Sequence, residues 1–481
     1  MLRAPDRRAP PMTQSILQTP AGHGAAARPT SPLQSPLPGA VRPWSARASA
    51  MRRSLAASTA EGVAGEVVQA CAGSAMATAW ALHLRAGPLL LGVLWALPFL
   101  GQLLQLPTAW LMARFDRRRV AIAGNGVARQ VLILLAALPF VPVSMAAKRL
   151  LLIGIISISS LAAVAGGNAW ISWMGDLVPA RIRGRYFGRR TALCAVGAAA
   201  SSLVAGSVLD AAMRHKKAGI ALAGLALVAW LGAAISTRLM QKQHDPRKST
   251  PAPPGARDLA EPFTDASSRR ILAYQAAWSL ALGLTASVSA VYMLKTLRVG
   301  FTGMAIYTAV LAGARMFATP LWGRVLDRIG ARPVLVVCSV GSALASALWT
   351  IASPARIWPI ALDAVVNGVL LAGQGLAAFA IPLSVAPKTR TSRSMLLSAF
   401  VMAGGLAFGL GSIAGGALVG ILPKLVPALG VRALFAASAG GRLVAALLAH
   451  RIHEPGAQPM AQIGHLAARK WRSWRAVSLA A

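Results

Sequence analysis

A chain of 481 residues that is 56% hydrophobic and only 13% charged departs from water-soluble domains, in which roughly a quarter of residues carry charge. A net charge of +36 would suit a nucleic-acid binder, but the 49 Lys and Arg residues stand in short clusters between apolar runs, which argues against nucleic acid and fits the basic loops of a membrane protein. Cys71, Cys194 and Cys338 all lie inside apolar runs, giving neither a disulfide framework nor a metal-ligand spacing.

Residues 1–58 are rich in Pro, Ala, Ser and Arg, with Asp6 as the sole acid. Such a segment cannot bury enough apolar surface to fold and reads as a disordered basic tail. It lacks the continuous apolar run of a secretory signal; its Arg-rich, acid-poor composition is that of a transit peptide, and Met51 before Arg52 and Arg53 offers an alternative start. Apolar runs long enough to cross a bilayer come next at 61–84, 88–113, 120–140, 150–173, 191–212 and 218–238. They are grouped as a first six-helix bundle over 59–238. Residues 239–268, with Pro246, Pro251, Pro253, Pro254 and Pro262, read as a flexible cytoplasmic linker. Six more runs at 270–294, 301–322, 333–352, 358–386, 394–420 and 433–449 form a second bundle over 269–450. The basic tail 451–481 carries Arg469, Lys470, Trp471, Arg472, Trp474 and Arg475, a pattern open to disorder or to contact with anionic lipid. The expectation is an all-α membrane protein of twelve transmembrane helices in two pseudo-symmetric six-helix bundles.

Counting Lys and Arg gives 35 in the tails and the loops after even-numbered spans, against 11 in the loops after odd-numbered spans. That bias predicts a multi-pass inner-membrane protein with both termini in the cytoplasm.

The halves echo each other. The loop after span two reads Arg114-Phe115-Asp116-Arg117-Arg118-Arg119, and the loop after span eight runs from Gly323-Arg324 through Asp327-Arg328 to Gly330 and Arg332. The two Asp residues are 211 positions apart; Pro179 and Pro387, each closing an even span ahead of Arg residues, are 208 apart. Parallel six-helix repeats are a transporter architecture, with the solute site at their interface. The second copy resembles the G-x-x-x-D-R-x-G-x-R signature of the major facilitator superfamily, in its expected cytoplasmic loop. Met112 and Arg119 replace the two glycines in the first copy. Trp170 through Arg190, including Arg183-Gly184-Arg185-Tyr186-Phe187-Gly188-Arg189-Arg190, resembles a poorly characterised bacterial branch of that family. The resemblance covers about 61–450. It implies a secondary active transporter working by alternating access, proton-coupled, monomeric, with Asp116, Arg117, Gly323, Asp327, Arg328, Gly330 and Arg332 as a gating motif. A plain topogenic charge cluster would read the same way, although an Asp beside a helix N-terminus gains about 0.3–1 kcal/mol from the helix dipole.

Polar groups inside lipid-spanning helices are costly and so mark candidate sites. Arg129, Asn168, Arg315, Asn367 and Gln374 are the candidates for solute binding, and Glu66 and Asp363 for proton coupling. Together they suggest a cationic cavity for a small anionic or hydrogen-bonding solute. The Arg residues, Arg442 above all, could instead reach the interface or bond backbone carbonyls, and Asp363 could be an interfacial cap. The Gly404-Gly405, Gly409, Gly411 and Gly415-Gly416 runs permit close helix packing. Span five lacks the Gly-Pro pattern typical of many drug/proton antiporters of this family. The absence of a G-x-x-x-x-G-K-[ST] loop and of H-E-x-x-H argues against a pump or a membrane metalloenzyme, and no cofactor is called for. A non-transporting sensor or assembly factor with the same fold is the alternative.

Overall fold

A computed structural model describes residues 43–245, 262–385, 393–425, 430–454 and 457. The amino-terminal tail up to residue 42, the Pro-rich middle of the linker, the Pro387 loop and nearly all of the basic tail lie outside the described residues.

Among the described residues, ten helices are long and apolar enough to cross a membrane. The first two expected spans are built from broken helices. Helix α1 runs Pro43–Ala72, starting well ahead of the expected boundary at Glu61, and resumes past Gly73 as Ser74–His83. The early start has a simple cause: Ala, Arg, Met and Leu, which make up much of this stretch, favour helix even where the stretch is too polar to register as a span. A Cβ at Gly73 would come within 2.3 Å of the Gln69 carbonyl oxygen, so only glycine fits the break. Helix α2 runs Pro88–Leu100 and continues through a tight turn, Gly101–Leu104, into Gln105–Arg114. Pro98 lies inside its first piece and removes a ladder hydrogen bond, while Pro107 falls in the first turn of its second piece, where backbone N–H groups have no partner within the helix.

The remaining spans are α3 (Arg117–Gln130, extended by short turns to Ala137), α4 (Met145–Leu177), α5 (Ala180–Arg214) and α6 (Ala218–Gln241). After the linker come α7 (Ala266–Val291, closing in a wide turn at Tyr292–Thr296), α8 (Gly300–Ile329), α9 (Ala331–Ile351), α10 (Trp358–Val385), α11 (Arg393–Leu418) and α12 (Arg432–His450). Large apolar side chains point outward along these helices, among them Phe317, Leu150, Val196, Phe140 and Leu447. A belt of this extent suits hydrocarbon rather than water.

Helices α3, α4 and α6 pack together in the first half, as do α7–α12 in the second; between halves, α2 lies on α11 and α5 on α8. The apolar core shows where the halves meet. At the end carrying the loops after odd spans, one cluster draws from both halves, joining Trp80, Leu91, Leu152 and Leu209 to Val288, Phe301, Trp349 and Phe435. At the opposite end the clusters are separate: Leu55, Val120, Trp173 and Met240 belong to the first half, and Ile271, Tyr274, Val334 and Ala449 to the second. The halves are joined at one end and parted at the other.

Candidate functional site

The gap between the halves holds a cavity of about 740 Å³, within the usual range for small-molecule sites. Its walls come from α2, α4, α7, α10 and α11. Four amides face it: Gln102 and Gln105 from α2, Gln275 from α7 and Gln374 from α10. Phe99 and Phe408 stack across the α2–α11 contact with ring centres 3.7 Å apart, and Trp278 adds an indole. Among the described lining residues none is ionisable. The glycine pair Gly404-Gly405 sets the amides in place: a Cβ at Gly404 would meet Gln275 Nε2 at 2.5 Å, and one at Gly405 would press on the Gln102 side chain. Gln275 donates to Ser279 Oγ and Gln374 donates to the Tyr274 hydroxyl. The Oε1 atoms of Gln105 and Gln275 are buried without a hydrogen-bond partner among the described residues. An unmet buried acceptor costs about 1–3 kcal/mol, so both are poised for a donor.

Of the five residues expected to bind solute, only Gln374 lines this cavity. Arg129 is engaged elsewhere, in a buried hub in the first half. There Glu61 of α1, only 2% exposed, accepts from Arg129 of α3 at 2.8 Å and from Arg190 of α5 at 3.3 Å. Ser236 of α6 donates to the same carboxylate at 3.2 Å and also meets Arg129 Nη1. Arg190 further donates to the Ser58 carbonyl and lies 4.6 Å from the Trp170 ring centre. Glu66 sits further along α1, half-buried and within electrostatic reach of both Arg residues. Asn168 is half-buried on α4, with its Nδ2 lacking a partner among the described residues.

In the second half a different network surrounds Asp363 of α10, which is fully buried. The Tyr307 hydroxyl donates to one carboxylate oxygen at 2.8 Å and Asn367 Nδ2 to the other at 2.6 Å. Ser342 Oγ donates to Asn367 Oδ1 at 2.6 Å and accepts from Arg442 Nη1 at 2.9 Å. Arg442 also donates to the Ser342 carbonyl and lies 5.8 Å from the Trp278 ring centre. Asp363, Asn367 and Arg442 are therefore brought together inside the second half, behind the cavity wall. Arg315 is exposed on α8 and approaches the wall at Gly375, where its Nη2 would stand 3.2 Å from an added Cβ.

The loops at the parted end divide the motif residues unequally. Asp116 caps α3 by accepting from Arg118 N. Arg117 is buried and pairs with Asp176 at 2.5 Å and Asp245 at 2.9 Å. In the second copy Asp327 is exposed in the last turn of α8 rather than at a helix N-terminus. The chain turns at Gly330, whose φ is +91°, and the carboxylate at the start of α9 belongs to Glu454, which accepts from Ala331 N at 3.0 Å and Arg332 N at 2.6 Å. Asp245 and Glu454 are equivalents: His244-Asp245-Pro246 comes just after span six and His453-Glu454-Pro455 just after span twelve, 209 positions later. This third echo was readable in the sequence.

At the joined end, Asp210 of α5 caps the start of α8 across the two halves. It accepts from Phe301 N at 2.8 Å, Thr302 N at 2.9 Å and Thr302 Oγ1 at 2.7 Å. Gly300 makes this possible, since its φ of +70° disfavours a side chain and a Cβ there would meet Asp210 Oδ2 at 2.7 Å. Nearby, Ser412 Oγ of α11 donates to the Gly92 carbonyl of α2 at 3.0 Å.

Residues 280–480 match the family model described as Major Facilitator Superfamily. No curated protein matches the chain. Solved structures do. A D-xylose-proton symporter superposes with a TM-score of 0.64 at 15% identity, covering 84% of this chain and 98% of that one. The nucleoside transporter NupG gives 0.60 at 13%, covering 83% and 98%. A bacterial homologue of the human lysosomal transporter Spinster, solved inward-facing and unoccupied, gives 0.58 at 15%, covering 85% and 97%. At such low identity these likenesses establish the fold.

Proposed function

We propose that this chain, which has the major facilitator fold and matches that family's model over its second half, is a secondary active transporter moving a small solute across the inner membrane. The observation that carries the reading is the shared apolar core at one end and the two separate cores at the other, with a cavity between the halves. That geometry is one state of an alternating-access cycle, in which two bundles rock about a fixed site. The excess of Lys and Arg in the even loops supports a cytoplasmic location for the parted end and for both termini. Residues 59–238 and 269–450 are then the rocking bodies, and 239–268 the cytoplasmic connector.

The loop contacts support a gating role at that end. Arg117 ties the α2–α3 loop to the ends of α4 and α6, and Glu454 ties the α8–α9 loop to the end of α12. Each bundle thus moves with its loop as one body. The solved relatives named as a nucleoside transporter and a sugar-proton symporter support solute movement, and the second supports proton coupling. For the proton we propose Glu66, half-buried on α1 within electrostatic reach of the two guanidiniums that Glu61 engages, and Asp363 in the second half.

Purified protein in liposomes tests this. An imposed pH gradient is expected to drive accumulation of at least one solute from a broad panel. Glu66→Gln is expected to lower that accumulation at least tenfold while solute exchange without a gradient persists. Absence of flux for every solute, with and without a gradient, would leave the chain as a sensor or assembly factor with a transporter's fold.

A further inference from the structure

Resting on the transporter reading, we infer that the cavity between the halves takes an uncharged, ring-shaped solute bearing several O–H or N–H donors, held by the Gln105 and Gln275 amides. The intramembrane arginines point toward an anion only while their surroundings are unknown. Arg129 is matched by Glu61 inside the first half. Arg442 is buried behind Trp278, outside the cavity lining, and gives its Nη1 to Ser342. The described walls carry amides, hydroxyls and aromatic rings but no ionisable group. Arg315 reaches Gly375 from α8 without joining the lining, so an anion entering there would shed its water against neutral groups, which a low-dielectric wall penalises heavily.

The wall chemistry fits the opposite kind of guest. Gln105 and Gln275 approach from different halves of the protein, and each holds a buried carbonyl oxygen that no described group satisfies. Both atoms have almost no exposed surface, so a guest with two donors would meet both, and bridge the bundles, once the amides turn toward the cavity. The stacked Phe99 and Phe408 rings present an aromatic surface for the apolar face of a sugar or the plane of a base. The placement is built into the fold, because Gly404 leaves the space that the Gln275 amide fills.

Equilibrium binding to the detergent-solubilised full chain is the test, read by calorimetry and by the shift in melting temperature. The probes are xylose, glucose and uridine as neutral rings, glucuronate as the anionic counterpart of glucose, and glucosamine as the cationic one. At least one neutral ring is expected to bind, and for hexoses the charged counterpart at least tenfold more weakly. Gln105→Leu and Gln275→Leu keep the side-chain size and remove the acceptor; each is expected to weaken neutral binding about tenfold while the size-exclusion profile stays that of the parent. Tighter binding of glucuronate, unchanged affinity in both variants, or no binding of any neutral ring at millimolar concentration would overturn the inference. The outcomes separate from those of the flux assay. A chain that binds neutral rings without moving them defeats the transporter reading alone, and one that moves only anions defeats this one alone.

Discussion

The two halves bury charge by different means. In the first, a single carboxylate touches two guanidiniums, so Glu61 holds Arg129 and Arg190 by direct ion contact. In the second, Asp363 and Arg442 are joined through neutral groups: Asn367 bonds the acid, Ser342 bonds the base, and the two bond each other. Tyr307 supplies a further donor to Asp363. The first arrangement concentrates its stability in one residue; the second spreads it over five. A repeat constrained by lipid to satisfy every buried polar group can meet that demand by contact or by relay.

Three substitutions can break or sharpen this contrast. Glu61→Gln leaves two guanidiniums facing each other without their carboxylate. Removing one partner of a buried ion pair costs about 3–5 kcal/mol, so a marked fall in melting temperature and in yield of monodisperse protein is expected. Asp363→Asn leaves Arg442 its bonds to Ser342 and costs about 1–3 kcal/mol, the range for an altered buried hydrogen bond. Denaturation of both variants in the same detergent checks the order, and equal losses would mean that the second half also depends on a direct charge pair. The smallest effect is expected from Asp210→Ala, which deletes a helix cap worth about 0.5–2 kcal/mol. Because that cap spans the halves, its loss should raise the population separated at the α5–α8 end, read as a longer distance between spin labels there. An unchanged distance distribution would reduce Asp210 to a local cap.

The twelve-span plan was legible because a bilayer demands long apolar helices, and composition records them directly. The breaks within the first two spans were not, since hydropathy is indifferent to the backbone geometry of Gly73, Pro98 or Pro107. Charge inside apolar runs drew notice to Arg129, Arg442 and Asp363, all of which prove to be buried or half-buried and bonded. Their partners were harder to see. Glu61 stands where the first apolar run begins and so reads as a boundary residue, yet α1 extends well before it. Asp210 and Asp176 lie near helix ends and read as boundary residues for the same reason. The cavity amides escaped because a glutamine in an apolar helix is ordinary in one dimension; only the bundle decides that Gln102, Gln105 and Gln275 share one space with Gln374. The Asp245 and Glu454 echo needed no structure, only the His-acid-Pro triplets at the ends of spans six and twelve set side by side.

The three bonds to Asp210 carry a consequence for the cycle. A seam of independent weak contacts could unzip one contact at a time, allowing partial leaks of intermediate width. A lone carboxylate gripping two consecutive amides and a hydroxyl releases them together or hardly at all. The far mouth of the pathway should therefore behave as a threshold, staying sealed under small strains and yielding in one step.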